Sequence, residues 1–98
     1  MDKCIAERRL LFSPKGESML KELHIRVGEP YWVNEDMAAC PIEFNGLFDE
    51  YSDVCAADLL QALHLAADVE PFLKKLCNKY DFFFSSGEPY FENENENT

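Results

Sequence analysis

Cys4-Ile5-Ala6-Glu7-Arg8-Arg9-Leu10-Leu11-Phe12 and Met19-Leu20-Lys21-Glu22-Leu23-His24-Ile25-Arg26-Val27 decide how this 98-residue chain folds. In the first stretch the even positions Cys4, Ala6, Leu10 and Phe12 are apolar, and Arg8 interrupts them. In the second the odd positions Met19, Leu23, Ile25 and Val27 are apolar, while Leu20, Glu22, His24 and Arg26 form a mostly wet face. Alternation with period two marks a strand that turns one face to a core. Between the two lies Ser13-Pro14-Lys15-Gly16-Glu17-Ser18, with Pro and Gly where a turn uses them. The expectation is a β-hairpin.

Outward from the hairpin, Gly28-Glu29-Pro30 closes the second strand, since Pro30 has no amide hydrogen for a ladder. Residues 28–37 read as a connection. A third strand is expected over 38–45, with Cys40, Ile42 and Phe44 on one face. Pro41 inside it implies an edge position or a late start. Asn45-Gly46 reads as a turn and 47–51 as a loop. A helix follows, capped by Ser52 or Asp53, with the stripe Leu59, Leu60, Leu63, Ala66 and Ala67 turned inward. Pro71 is tolerated only in a first helical turn, so a break is expected at 68–70, with Asp68 capping a second short segment. Tyr80-Asp81-Phe82-Phe83-Phe84 reads as a final strand. The fold expected is α+β: an antiparallel sheet in the order β-β-β-α-β with a kinked helix packed on one face. Residues 1–91 form its single domain. The Glu/Asn tail, 92–98, has nothing to bury and is expected to stay disordered.

Composition narrows the function. The chain is 47% hydrophobic and has no apolar run of 18 residues, so it reads as globular with no membrane span. Met1-Asp2-Lys3-Cys4 leads into charge and not into a signal core, which points to a cytoplasmic protein. Net charge is −10, which argues against nucleic acid or anionic lipid as the direct ligand. That charge is unevenly placed. No Lys or Arg occurs from Val27 to Leu73, a stretch that holds ten acids. Such a block sets up a field that steers cationic partners.

Catalytic signatures are missing. Cys4, Cys40, Cys55 and Cys77 contain no Cys-x-x-Cys pair and read as buried small hydrophobes, reduced in the cytosol. No metal-ligand spacing, phosphate loop or nucleophile elbow is present, so no metal, cofactor or enzyme activity is expected. A Cys–His pair using His24 or His64 is the least favoured reading.

A binding surface fits better. Aromatics alternate with acids in Glu29-Pro30-Tyr31-Trp32, in Asp49-Glu50-Tyr51 and in Glu88-Pro89-Tyr90. Glu35, Asp36 and Asp53 add carboxylates nearby in sequence. Protein interfaces favour aromatic anchors, and carboxylates pair with Lys and Arg across them. These residues are the candidate partner-binding set. Trp32 has a second reading, as the core residue of a small domain. Tyr51 and Tyr90 are the tyrosines expected to be exposed.

Glu7-Arg8-Arg9-Leu10-Leu11, Ile25-Arg26-Val27-Gly28-Glu29-Pro30, Cys40-Pro41-Ile42-Glu43-Phe44-Asn45-Gly46-Leu47 and Leu60-Gln61-Ala62-Leu63 resemble a small bacterial domain family of unknown function, over most of residues 5–85. These motifs shape a fold and carry no active site; Pro71 and the Glu/Asn tail depart from the family's plain pattern. In size, acidity and lone-domain layout the chain also resembles the immunity proteins of bacterial toxin systems, contact-dependent growth inhibition above all. That second resemblance implies a protein that neutralises a cognate toxin in a one-to-one complex. The toxin would be a nuclease with a basic cleft, an RNase ahead of a DNase. The alternative is a regulatory or phage-type inhibitory domain that mimics nucleic acid.

Overall fold

The hairpin forms where the alternation puts it. In the computed structural model, which describes residues 3–47 and 53–91, β1 (Cys4–Pro14) pairs antiparallel with β2 (Lys21–Gly28). Leu10 lies opposite Leu23 and Arg8 opposite Ile25. Leu10, Phe12, Leu23, Ile25 and Val27 are buried, as the pattern predicts. Its outer members are not: Ala6 and Met19 are exposed and Cys4 is half-buried. Strand β7 (Tyr80–Phe83) pairs with the Leu11–Pro14 end of β1, and among the described residues no strand pairs with the other end on that side.

The chain does not stay in one sheet, and here the structure is richer than the β-β-β-α-β order. Four strands form a first antiparallel sheet, β5-β2-β1-β7, and three form a second, β3-β4-β6. The expected connection at 28–37 contains β3 (Tyr31–Asn34), and the expected third strand divides at Pro41 into β4 (Met37–Cys40) and β5 (Ile42–Asn45). The first two crossings between sheets, from β2 to β3 and from β4 to β5, meet at one corner. Gly28 N–H donates to Pro41 O at 2.9 Å, and the Cys40 thiol donates to Gly28 O at 3.3 Å. A Cβ on Gly28 would sit 3.1 Å from the Pro41 ring, so the corner closes best around glycine. Pro41 cannot serve a ladder through its nitrogen, which is why the strand changes partners there. β5 then takes an edge of the first sheet, the position expected of a proline-bounded strand.

The helix begins later than expected. Residues 54–56 are a strand, β6 (Val54–Ala56), and the cap of α1 (Leu59–Ala67) is Asp58, not Ser52 or Asp53. Asp58 Oδ1 accepts the Gln61 N–H at 2.8 Å, and Gln61 Oε1 reaches back to the Ala57 N–H at 2.9 Å. This reciprocal arrangement satisfies two amide donors at the helix start. The buried stripe is Ala62 and Ala66, with Leu59 and Leu63 packed beside them. Leu60 (80% exposed) and Ala67 fall outside it. Small alanines let α1 sit close against β4 and β6.

The break expected at 68–70 is present. Asp68 ends α1, and α2 (Glu70–Lys75) holds Pro71 in its first turn. Its cap is Val69, which offers no side-chain hydrogen bond, in place of the expected Asp68. Val69, Leu73 and Leu76 are buried and join both sheets and both helices in one core cluster with Phe12, Phe44, Tyr80 and Phe82. No described helix is long and apolar enough to cross a membrane. The segment expected to be a disordered tail, 92–98, lies outside the described residues.

The far face of the first sheet is polar and internally paired. Arg26 lies 3.5 Å from Glu43, and Glu7 pairs with His24. The hydrogen bond from His24 holds the Glu7 carboxyl below its ordinary value. Glu43, one of the ten acids of the base-free block, is thus already partnered.

Candidate functional site

The second sheet and α1 contain no Lys or Arg; every base lies in residues 3–26 or 74–79. The charge asymmetry of the sequence is therefore a spatial one. β1 and β2 of the first sheet carry Arg8, Arg9, Lys21 and Arg26, whereas the strands of the second sheet hold no charged residue and are flanked by the acids Glu29, Glu35, Asp36 and Asp53.

In the second sheet β3 is an edge strand, and all four of its residues are exposed. Tyr31 pairs with Ala39 and Trp32 with Ala38. Val33 is the extra residue of a bulge, because Asn34 already pairs with Met37. Successive side chains leave opposite faces of a strand. Ala38 belongs to the core cluster, so Trp32 stands on the core side of the rim and is half exposed, at 51%. Tyr31 takes the other face, and its hydroxyl donates to Asp53 Oδ2 at 2.6 Å, beside the start of β6. Its ring thus spans the sheet across the Ala39 row, which explains how Ala39 is buried without joining the core.

Carboxylates close both ends of β3. Glu29 precedes it, 3.8 Å from Lys3. Glu35 and Asp36 follow it in the turn to β4, where Asn34 Oδ1 accepts the Asp36 N–H at 2.8 Å. Glu29, Tyr31, Trp32, Glu35, Asp36 and Asp53 are thus brought together on one exposed strand and its flanks. Val33 belongs with them and was missed, although Tyr31-Trp32-Val33 is a run of strand formers between Pro30 and a turn. Of the two readings of Trp32, the exposed one holds, because an edge strand has no layer outside it.

The other candidates lie elsewhere. Glu88 and Tyr90 sit beside β7 on the first sheet, so they do not join this group. Tyr90 is half-buried, contrary to its expected exposure. Its ring packs between Phe84 and Phe91, and its hydroxyl accepts from Arg8 at 2.9 Å. The groove beside it, about 710 Å³, mixes Arg8 and Arg9 with Glu70 and Glu88 and so has no dominant charge. Asp49, Glu50 and Tyr51 lie outside the described residues.

The hydrogen bond to Asp53 raises the Tyr31 phenol above its ordinary value, because the carboxylate accepts only from the neutral form. The contact is therefore intact at neutral pH and is lost as pH rises through that elevated value. Replacing Asp53 with Asn should return Tyr31 toward the ordinary range, read as a shift in the phenolate absorbance titration. An unchanged titration would mean the contact does not form in solution.

The cysteines separate by environment. All four are free; Cys40 is buried, Cys4 and Cys77 are half-buried, and Cys55 is exposed. Cys55 thus departs from the buried reading, because β6 turns it to the same outward face as Ala39. Burial pushes the Cys40 and Cys77 thiols up and lowers their thiolate fraction. Alkylation followed by peptide mass spectrometry should modify Cys55 first and Cys40 last. Equal rates for these two would contradict the packing at the corner. Among the described residues no hydrogen bond joins a cysteine to His24 or His64, and no three His, Cys, Asp or Glu side chains are grouped to hold a metal ion.

No protein-family model, curated protein or solved structure matches this chain. The family resemblance seen in the quoted segments gains no support from that comparison, and the functional argument stands on the site.

Proposed function

We propose that this chain is a non-enzymatic binding protein that captures a basic protein at the acid-flanked β3 edge of the second sheet, with Tyr31 and Trp32 as its anchors. The observation that carries this reading is the exposed β3 strand, whose aromatic side chains lie between flanking carboxylates in a sheet whose strands hold no base. Aromatic anchors supply affinity, and complementary charge supplies rate and selectivity. The finer reading is an immunity protein in the cytoplasm, binding a basic toxin nuclease domain one to one. A nuclease gathers cations for phosphate, and an acidic inhibitor meets the same cations.

The test asks whether a reading frame beside this gene encodes a basic, toxin-like domain, and takes that domain as the probe. Mixed with this protein, it should form a one-to-one complex in sedimentation and lose its activity. Association should slow as salt rises, since the screening length falls from about 10 Å at 0.1 M to about 3 Å at 1 M. Changing Glu35 and Asp36 to Lys should slow association at low salt and leave the folded state intact, because both lie on an exposed turn. A rate that is flat with salt and equal for the double variant would reduce the acidic block to a solubility feature.

A further inference from the structure

Resting on that reading, we propose that β3 receives its partner as an added strand: an extended segment of about five to seven residues with Lys or Arg near each end. Strand β3 ends the order β3-β4-β6, so among the described residues nothing pairs with the outer row of its backbone groups. The first sheet shows how this chain covers an edge when it needs to. Beyond β7 the strand-like return of residues 88–90 is bonded on, Tyr90 N–H to Phe82 O at 2.9 Å and Phe84 N–H to Glu88 O at 2.8 Å. The described part of the chain makes no such return over β3.

The length follows from the acids. From Glu29 to Glu35 is six residues, about 20 Å of extended chain, so a strand laid alongside brings its two ends to Glu29 and to Glu35 with Asp36. Trp32 on one face and Tyr31 on the other flank the added backbone. A Lys or Arg side chain of the incoming strand can also lie over the exposed Trp32 ring. A second copy of β3 is a poor occupant. In either direction it sets the carboxylates of Glu29, Glu35 and Asp36 against one another, which a strand with basic ends does not.

The probe is a synthetic peptide, acetyl-Lys-Thr-Val-Thr-Ile-Arg-amide, titrated into the full chain while amide NMR spectra and Trp32 fluorescence are recorded. Saturable changes should concentrate on the amides of Tyr31 to Asn34. N-methylating alternate peptide amides should weaken binding by at least about tenfold in one alternation and little in the other, because only one set faces β3. A peptide with Glu at both ends should bind at least about tenfold more weakly. If both N-methylated peptides bind equally well, strand addition is wrong while capture of a basic partner stands. If the Glu-ended peptide binds as tightly as the basic one, the charge reading falls as well. Strand addition at β3 is also overturned by shifts that centre on β5 or on the Cys4–Arg9 end of β1, by no saturable change at millimolar peptide, or by protein self-association that protects the β3 amides. Because the changes are made in the peptide, no outcome depends on whether a protein variant folds.

Discussion

Replacing Leu73 with Ala should remove about 2–5 kcal/mol of stability, a large share of the roughly 5–15 kcal/mol that holds a domain of this kind together. Leu73 is fully buried, and it lies on a helix of six residues. A helix that short is unstable in isolation, and α2 has no side-chain cap at its start. Its position therefore depends on the apolar contacts that Val69, Leu73 and Leu76 make with the core. Truncation removes those contacts and leaves a cavity that only partly collapses. Urea denaturation followed by circular dichroism should show a lower midpoint with an unchanged slope. Each kcal/mol should lower the thermal midpoint by about 4–8 °C in a domain of this size. A loss below about 1 kcal/mol would mean that α2 does not depend on this contact.

Replacing Trp32 with Ala should have the opposite profile. Binding to the basic partner should weaken by about 2–4 kcal/mol, the range of an aromatic anchor at the centre of an interface. Stability should change by less than about 1 kcal/mol, because the side chain is half exposed on an edge strand and only strand propensity is lost. Calorimetric titration against the partner, beside denaturation of the free protein, separates the two effects. As the only tryptophan, Trp32 also reports on itself: it should be accessible to quenchers in the free protein and protected in the complex. If the Ala variant binds like the wild type, Trp32 is no anchor and β3 loses its place as the docking strand.

How much of this was legible before folding differs from segment to segment. The β1–β2 hairpin was readable because its two strands are adjacent in the chain and one face is buried, which writes the alternation into neighbouring residues. The helix break was readable because Pro71 has one place in a helix that it tolerates. The helix start was misplaced because Ser52, Asp53 and Asp58 all have side chains that can cap; the pairing of β6 with β4 makes residues 54–56 strand, and the helix starts only after Asp58. The inward stripe was right at Leu59, Leu63 and Ala66 but took in Leu60 and Ala67 and left out Ala62, since Leu60 offers more apolar surface while the close approach of α1 to β4 and β6 favours the alanine.

The second sheet was the least legible part, and the candidate site lies on it. β4 reads Met37-Ala38-Ala39-Cys40, with no alternation, because both of its faces are covered. β3 is exposed on every residue and so leaves no buried pattern. β6 is three residues long, and its residues pair with partners 14 to 18 positions away in the chain. Composition and local pattern were enough for the α+β class, the hairpin, the broken helix and the absence of Lys and Arg from Val27 to Leu73, since these depend on neighbouring residues and on charge count alone. That Tyr31 and Trp32 share a rim with Glu29, Glu35, Asp36 and Asp53, while Glu88 and Tyr90 belong to another sheet, was settled by strand pairing over long sequence separations. Local propensity does not encode such pairings, because each strand finds its neighbour only when the chain turns at Gly28 and Pro41 and the core closes between the two sheets.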